Sequence, residues 1–223
     1  MKSLALFDLD HTLLSGDSDH AWGHFLVEKG IVQGDEHRQR NEAFWQQYKD
    51  GTLDINAYLR FALAPIAGKS DTELAGLQAT FMQDKIEPMI SAAALRLLEK
   101  HAGELCAIVT ATNAFVTKPI AQRFGVDHLI ACEVEMVAGR YTGNPVGVPS
   151  FREGKVARVD AWLASMELCI EDFQTSWFYS DSLNDLPLLQ RVNHPVAVNP
   201  DPTLHRFAVE QGWPVLDLIS GEL

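Results

Sequence analysis

Cysteine, basic charge and long apolar runs are all scarce in this chain. Its three cysteines, Cys106, Cys132 and Cys169, are too few and too scattered for a disulfide framework or a zinc ribbon. They read as reduced, buried thiols. No apolar run approaches the roughly 20 residues of a membrane-spanning helix. Near the N-terminus only Leu4 to Phe7 is continuously apolar before Asp8 interrupts it, too short for a signal-peptide core. A cytoplasmic location is the expectation. Lys and Arg together number 18 against 30 Asp and Glu, a formal net charge of −12. That field repels phosphate backbones and anionic headgroups, so nucleic-acid and membrane-surface partners are disfavoured. A small phosphorylated metabolite stays compatible, because a local cation or metal ion overrules the global field.

What is present is ordinary globular material. The 223 residues are 47% hydrophobic and 22% charged, enough for one large domain or a core with a smaller insert. Four short apolar runs end in polar residues, as buried strands do when they empty into a loop. They are Leu4 to Phe7, Leu105 to Val109, Trp177 to Tyr179 and Pro195 to Val198. Helical periodicity separates them: Ile90 to His101, residues 117 to 124 with Pro119 near the start, and Lys155 to Met166. Cys132 to Val137 followed by Gly139 to Gly143 reads as a strand running into a hairpin turn. This alternation predicts an α/β fold, a Rossmann-like parallel sheet covered by helices on both faces. Residues 15 to 85 carry no strand pattern. Ala21, Trp22, Phe25 and Leu26 share a helical face, as do Ala43, Phe44 and Tyr48, and then Ile55, Tyr58, Leu59 and Ala62. Ser70 and Glu73 are spaced as a capping box for a fourth helix. The chain therefore divides into a core of residues 1–14 plus 86–223 and an inserted helical-bundle cap of residues 15–85.

Four stations could carry chemistry. Asp8 and Asp10, in Asp8-Leu-Asp10-His-Thr12, follow the first strand, where open α/β sheets bind ligands. One carboxylate can attack an electrophile while the other handles protons; the same residues also make a capped polar turn. Asp181 and Asp185 follow the third run, in a stretch equally rich in helix-capping residues. Four acids on two strand ends repel one another unless a cation neutralises them, and oxygen-only ligands suit Mg²⁺. Thr110 ends the second run, and its hydroxyl with the following N–H groups, from Ala111 onward, could hold phosphate oxygens. A threonine there is also an ordinary N-cap. Lys155 stands at a helix start, where a cation opposes the helix dipole but suits a bound phosphate.

In this order the stations resemble the haloacid dehalogenase superfamily of phosphatases. Asp8-x-Asp10-x-Thr12 matches its first motif, Thr110 the second, Lys155 the third and Asp181-x-x-x-Asp185 the fourth. The helical insert between the first two motifs is similar to the subgroup containing phosphoserine phosphatase. The resemblance implies Asp8 as the nucleophile that becomes an aspartyl phosphate and Asp10 as the acid and base. It implies Thr110, Ala111, Lys155 and Asn184 around the phosphoryl group. Mg²⁺ would sit on Asp8, the Asp10 carbonyl and Asp181, with Asp185 in support. A receiver module, with its phosphoaspartate switch, shares the acids and lysine but has no place for the long insert. A phosphotransferase shares the core.

For specificity, the resemblance points to Asp17, His24 and Arg60. The subgroup uses a glutamate near the position of Asp17 for a substrate amine and, for a substrate carboxylate, an arginine in a Leu-Arg-x-Arg-like stretch of the cap. Here the comparable stretch is Leu59-Arg60-Phe61-Ala62, without the second Arg. This favours an amine-bearing ester without a carboxylate, such as histidinol phosphate, over phosphoserine. His20 and His24, four apart, could form a metal site with Asp17; a helix cap beside ordinary histidines is the favoured reading. The oligomeric state leaves no signal.

Overall fold

The computed structural model describes residues 2–219. Seven strands form one sheet: β1 (Ser3–Phe7), β2 (Leu105–Asn113), β3 (His128–Val137), β4 (Arg140–Val146), β5 (Thr175–Ser180), β6 (His194–Val198) and β7 (Val215–Leu216). Their order is β4-β3-β2-β1-β5-β6-β7, parallel except for the antiparallel β3–β4 hairpin. All four apolar runs are strands, and β1 is central because it is buried on both faces. Leu4 and Leu6 point to one side, with Val159, Leu163, Leu204 and Ala208 of α7 (Glu153–Ala164) and α9 (Pro202–Gln211). Ala5 and Phe7 point to the other, against α5 (Ala92–Lys100) and α6 (Ala114–Phe124).

The insert holds α1 (Ser18–Glu28), α2 (Gly34–Lys49), α3 (Ile55–Leu63) and α4 (Asp71–Phe81). Trp22, Phe25 and Leu26 of α1 and Phe81 of α4 join the same apolar cluster as Phe7, Phe115 and Tyr141, so these helices extend the core of that face. The capping box forms at α4: Ser70 N–H donates to Glu73 Oε2 at 2.8 Å, and Glu73 N–H to Ser70 Oγ at 3.3 Å.

Three local expectations differ from the structure. The hairpin turn is Ala138–Gly139, both with positive φ, and Arg140 to Gly143 belong to β4. Helix α6 starts at Ala114, capped by Asn113, so Pro119 lies inside it. Proline has no N–H for the carbonyl four residues back, and Phe115 O instead accepts from Gln78 Nε2 at 2.7 Å. Of the three free cysteines, Cys132 is buried and Cys106 half-buried, but Cys169 is exposed in the turn before β5. Among the described residues no helix is long and apolar enough to cross a membrane.

Candidate active site

Parallel register assembles the site. Phe7 pairs with Ile108 of β2 and with Tyr179 of β5; just beyond, Asp8 and Asp181 leave their strands while β2 runs on to Asn113, so Thr110 lies past the end of β1 at the same edge. Asp8 is buried, and its N–H donates to Tyr179 O at 2.9 Å. Lys155 reaches it from the first turn of α7, only 2% exposed. Gly154 lets that turn close, because a Cβ there would collide with the Pro149 carbonyl. Lys155 Nζ donates to Asp8 Oδ1 at 2.8 Å and to Asp185 Oδ2 at 2.7 Å, and Ser180 Oγ donates to the same Asp185 oxygen at 2.7 Å. Thr12 Oγ1 donates to Asp181 Oδ1 at 3.3 Å.

One ammonium thus faces three carboxylates. Burial works against the Lys155 charge, but Asp185 and Asp8 outweigh it and hold its pKa above the ordinary lysine value. Burial pushes Asp185 up to about 6 in spite of Lys155. Asp181 is raised by burial first, then by Asp8 and Asp185. That surplus of negative charge on oxygen donors fits a hard divalent cation. Asp185 Oδ2 faces Lys155 and Ser180, and the residue lies outside the pocket lining.

Asp10 stands apart from this cluster. Backbone 9–13 turns sharply, with His11 at φ 56°, and carries the Asp10 side chain toward the insert. Its Oδ1 accepts from Ser18 N at 2.6 Å and its Oδ2 from Thr112 Oγ1 at 2.8 Å. Burial and the nearby Asp17 raise its pKa well above the carboxylate norm, the condition a general acid needs. Sequence reasoning missed Thr112, although a signal was there: two residues beyond Thr110 on a strand, it shares that residue's face. Thr110 Oγ1 in turn accepts from Thr112 N–H at 3.1 Å.

One pocket is lined by Asp8, Asp10, Thr110 and Ala111 of the core together with Asp17, Asp19 and Tyr58 of the insert, and by Phe44 and Trp45 of α2. Asp17 caps α1, accepting from His20 N at 2.8 Å. Asp19 is buried; its Oδ1 accepts from Asn113 Nδ2 at 3.3 Å, and the Tyr58 hydroxyl stands beside its carboxyl. Burial, then Asp17, pushes its carboxyl up to about 7.

Three expected site residues lie elsewhere. Arg60 is exposed and lines no part of this pocket, because Tyr58 faces it and two residues on a helix turn through about 200°. His24 sits behind His20, outside the lining. Asn184 spans core and insert, donating to Tyr48 O at 3.3 Å and accepting from Arg152 Nε at 3.1 Å, and lines a neighbouring cleft.

A buried Asp8–Lys155 pair, a second acid on its own turn and an oxygen-rich strand edge lie together at the end of a parallel sheet. Residues 5–190 match the haloacid dehalogenase-like hydrolase family, and the chain belongs to it. Within that family it stands with the phosphoric monoester hydrolases. It is 46% identical to a histidinol-phosphatase of Neisseria meningitidis serogroup C, over 97% of this chain and 99% of that protein. A Bordetella pertussis crystal structure of unknown function superposes with a TM-score of 0.93 at 50% identity, covering 98% of this chain and 100% of that one. A substrate-bound phosphoserine phosphatase superposes at 0.66 with 15% identity, over 97% and 93%, a likeness of fold.

Proposed function

We propose that this enzyme hydrolyses a small phosphate monoester with a cationic nitrogen at its other end, histidinol phosphate foremost, as a Mg²⁺-dependent cytoplasmic phosphatase. The observation that carries the reading is the charge of the pocket lining: beside Asp8, Asp10 and Thr110 of the core it takes Asp17 and Asp19 from the insert, and among the described residues no Arg or Lys lines it. The insert's carboxylates repel a phosphate and attract an ammonium or imidazolium. With Arg60 turned to solvent, a substrate carboxylate has no cation there, which speaks against phosphoserine. Residues 15–85 act as the cap that supplies these carboxylates.

The proposed reaction has two displacements. An Asp8 oxygen attacks phosphorus, the bond to the leaving oxygen breaks, and Asp10 gives that oxygen its proton. Water then attacks the aspartyl phosphate, Asp10 takes its proton, and the bond between phosphorus and Asp8 breaks to release phosphate. Lys155 restrains Asp8, while Thr110 and the Ala111 N–H receive phosphoryl oxygens. Asp8, the Asp10 carbonyl and Asp181 would hold Mg²⁺, which neutralises the phosphate dianion against the carboxylate nucleophile.

Steady-state phosphate release in Mg²⁺ tests the substrate reading. Histidinol phosphate is expected to exceed phosphoserine and an amine-free ester in kcat/KM by at least about tenfold, the worth of one charge-assisted bond. Equal values, or a preference for phosphoserine, would overturn it.

A further inference from the structure

His20, His24 and Glu42 form a cluster that the proposed phosphate chemistry does not use. The two histidines are one turn apart on α1, so their rings share a face. Their Nε2 atoms are 3.3 Å apart, and His20 Nε2 is 3.2 Å from Glu42 Oε2 of α2. The three ligand atoms all lie within 4.8 Å of one another.

The helix pair is built to bring them together. Gly23 lies between the histidines, and a Cβ there would stand 2.6 Å from the Asn41 side chain. Asn41 is buried at this crossing and donates from Nδ2 to the His20 carbonyl at 3.0 Å. Glu42 is the next residue. The His20 ring stacks on Trp45, centroids 5.1 Å apart and planes 24° apart.

Hydrogen bonding alone serves the cluster poorly. With a proton on His20 Nε2, that nitrogen can donate along one direction, yet it faces both Glu42 and His24. Without the proton, its lone pair faces a carboxylate oxygen. A cation among the three atoms satisfies all of them. Both contacts match the edge of a tetrahedron whose metal–ligand bonds are about 2.0–2.1 Å long, an edge of about 3.3 Å.

We propose that His20, His24 and Glu42 form a three-ligand site for a first-row transition-metal ion, Zn²⁺ foremost, tying α1 to α2 at the wall of the pocket. Two imidazoles and one carboxylate select such an ion over Mg²⁺, and they leave a fourth position for water or a ligand donor. Asp17, near in sequence, is spent on capping α1; the third ligand comes from α2 instead. His20 is both ligand and pocket wall, so the ion adds positive charge beside Asp17 and Asp19.

The test uses metal-free full-length protein in saturating Mg²⁺, titrated with Co²⁺ and then Zn²⁺. One equivalent of Co²⁺ should bind with the intense visible bands of a low-coordinate nitrogen site, and Zn²⁺ should displace it and raise the melting temperature. His24→Ala and Glu42→Gln should each weaken Zn²⁺ binding by at least the roughly 10- to 100-fold that losing an outer-shell partner costs, and abolish the thermal shift. Glu42 is exposed, so its amide variant carries the test if His24→Ala fails to fold. Asp8→Asn should keep the Co²⁺ spectrum. Absence of Mg²⁺-resistant binding, binding that survives both substitutions, or loss of the spectrum in Asp8→Asn would each overturn the proposal.

Discussion

The carboxylates at the strand edge gather round one ammonium, whereas Asp19, on the insert's side of the same pocket, meets the neutral groups Asn113 and Tyr58. Asp8 and Asp185 share Lys155, Asp181 takes the Thr12 hydroxyl, and Asp10 takes Ser18 and Thr112. Those partners come from neighbouring strand ends and first turns, fixed by parallel register. The insert's share of the lining comes from α1, α2 and α3, which meet by packing and not by register. Under the proposed reaction, chemistry and recognition fall to separate segments, the sheet edge and the insert.

The sharpest break in this comparison is Asp8→Asn. It removes the proposed nucleophile and leaves the sheet untouched, so turnover should fall by roughly four orders of magnitude or more. Near-normal phosphate release would remove Asp8 from the central role. Acid quenching of the wild type should trap a hydroxylamine-labile acyl phosphate. Asp10→Asn comes next. It should slow the burst rate on an alkyl ester by about 10²- to 10⁴-fold and on an aryl ester far less, since an aryl leaving group needs little protonation. Equal losses would contradict the proton role.

The same contrast explains what was legible in the sequence. Asp8, Asp10, Thr110, Lys155 and Asp181 each follow or open a short recognisable element, and the sheet edge collects them. The four insert helices were readable from Trp22, Tyr58 and the Ser70–Glu73 box. Which helix faces meet was not. Glu42 reaches His20 only because Gly23 and Asn41 let α1 and α2 close together, a fact of packing rather than pattern. Arg60 failed for the same reason: proximity to Tyr58 in sequence puts it on the opposite side of α3.

Lys155→Ala tests the paired end by stability. It leaves two buried carboxylates facing each other, so unfolding free energy should drop by about 3–5 kcal/mol in metal-free protein. Added Mg²⁺ should restore part of that loss. A variant as stable as wild type in urea would show that the ammonium does not hold the acids together.

Asp19→Asn tests the insert's side, with the smallest effect and the clearest sign. The folded pKa of Asp19, about 7, lies above the ordinary 3.8, raised by burial and then by Asp17. Between those values the folded chain holds a proton that the unfolded chain has released. Its contribution to stability is therefore greatest at low pH, falls as pH rises through about 4 to 7, and is flat above. The amide side chain of the variant does not titrate, so the metal-free variant should gain on wild type by up to a few kcal/mol at pH 8 and lose that advantage near pH 4. In catalysis the direction reverses. An ammonium or imidazolium beside Asp19 favours the carboxylate, so the variant should lose about tenfold in kcat/KM on a cationic ester and little on a neutral one. Urea melts at the two pH values and the two-substrate ratio measure both halves. A variant stabilised at pH 8 but unselective would make Asp19 a burden of the fold rather than a recognition group. One that shifts neither would remove it from the wall altogether.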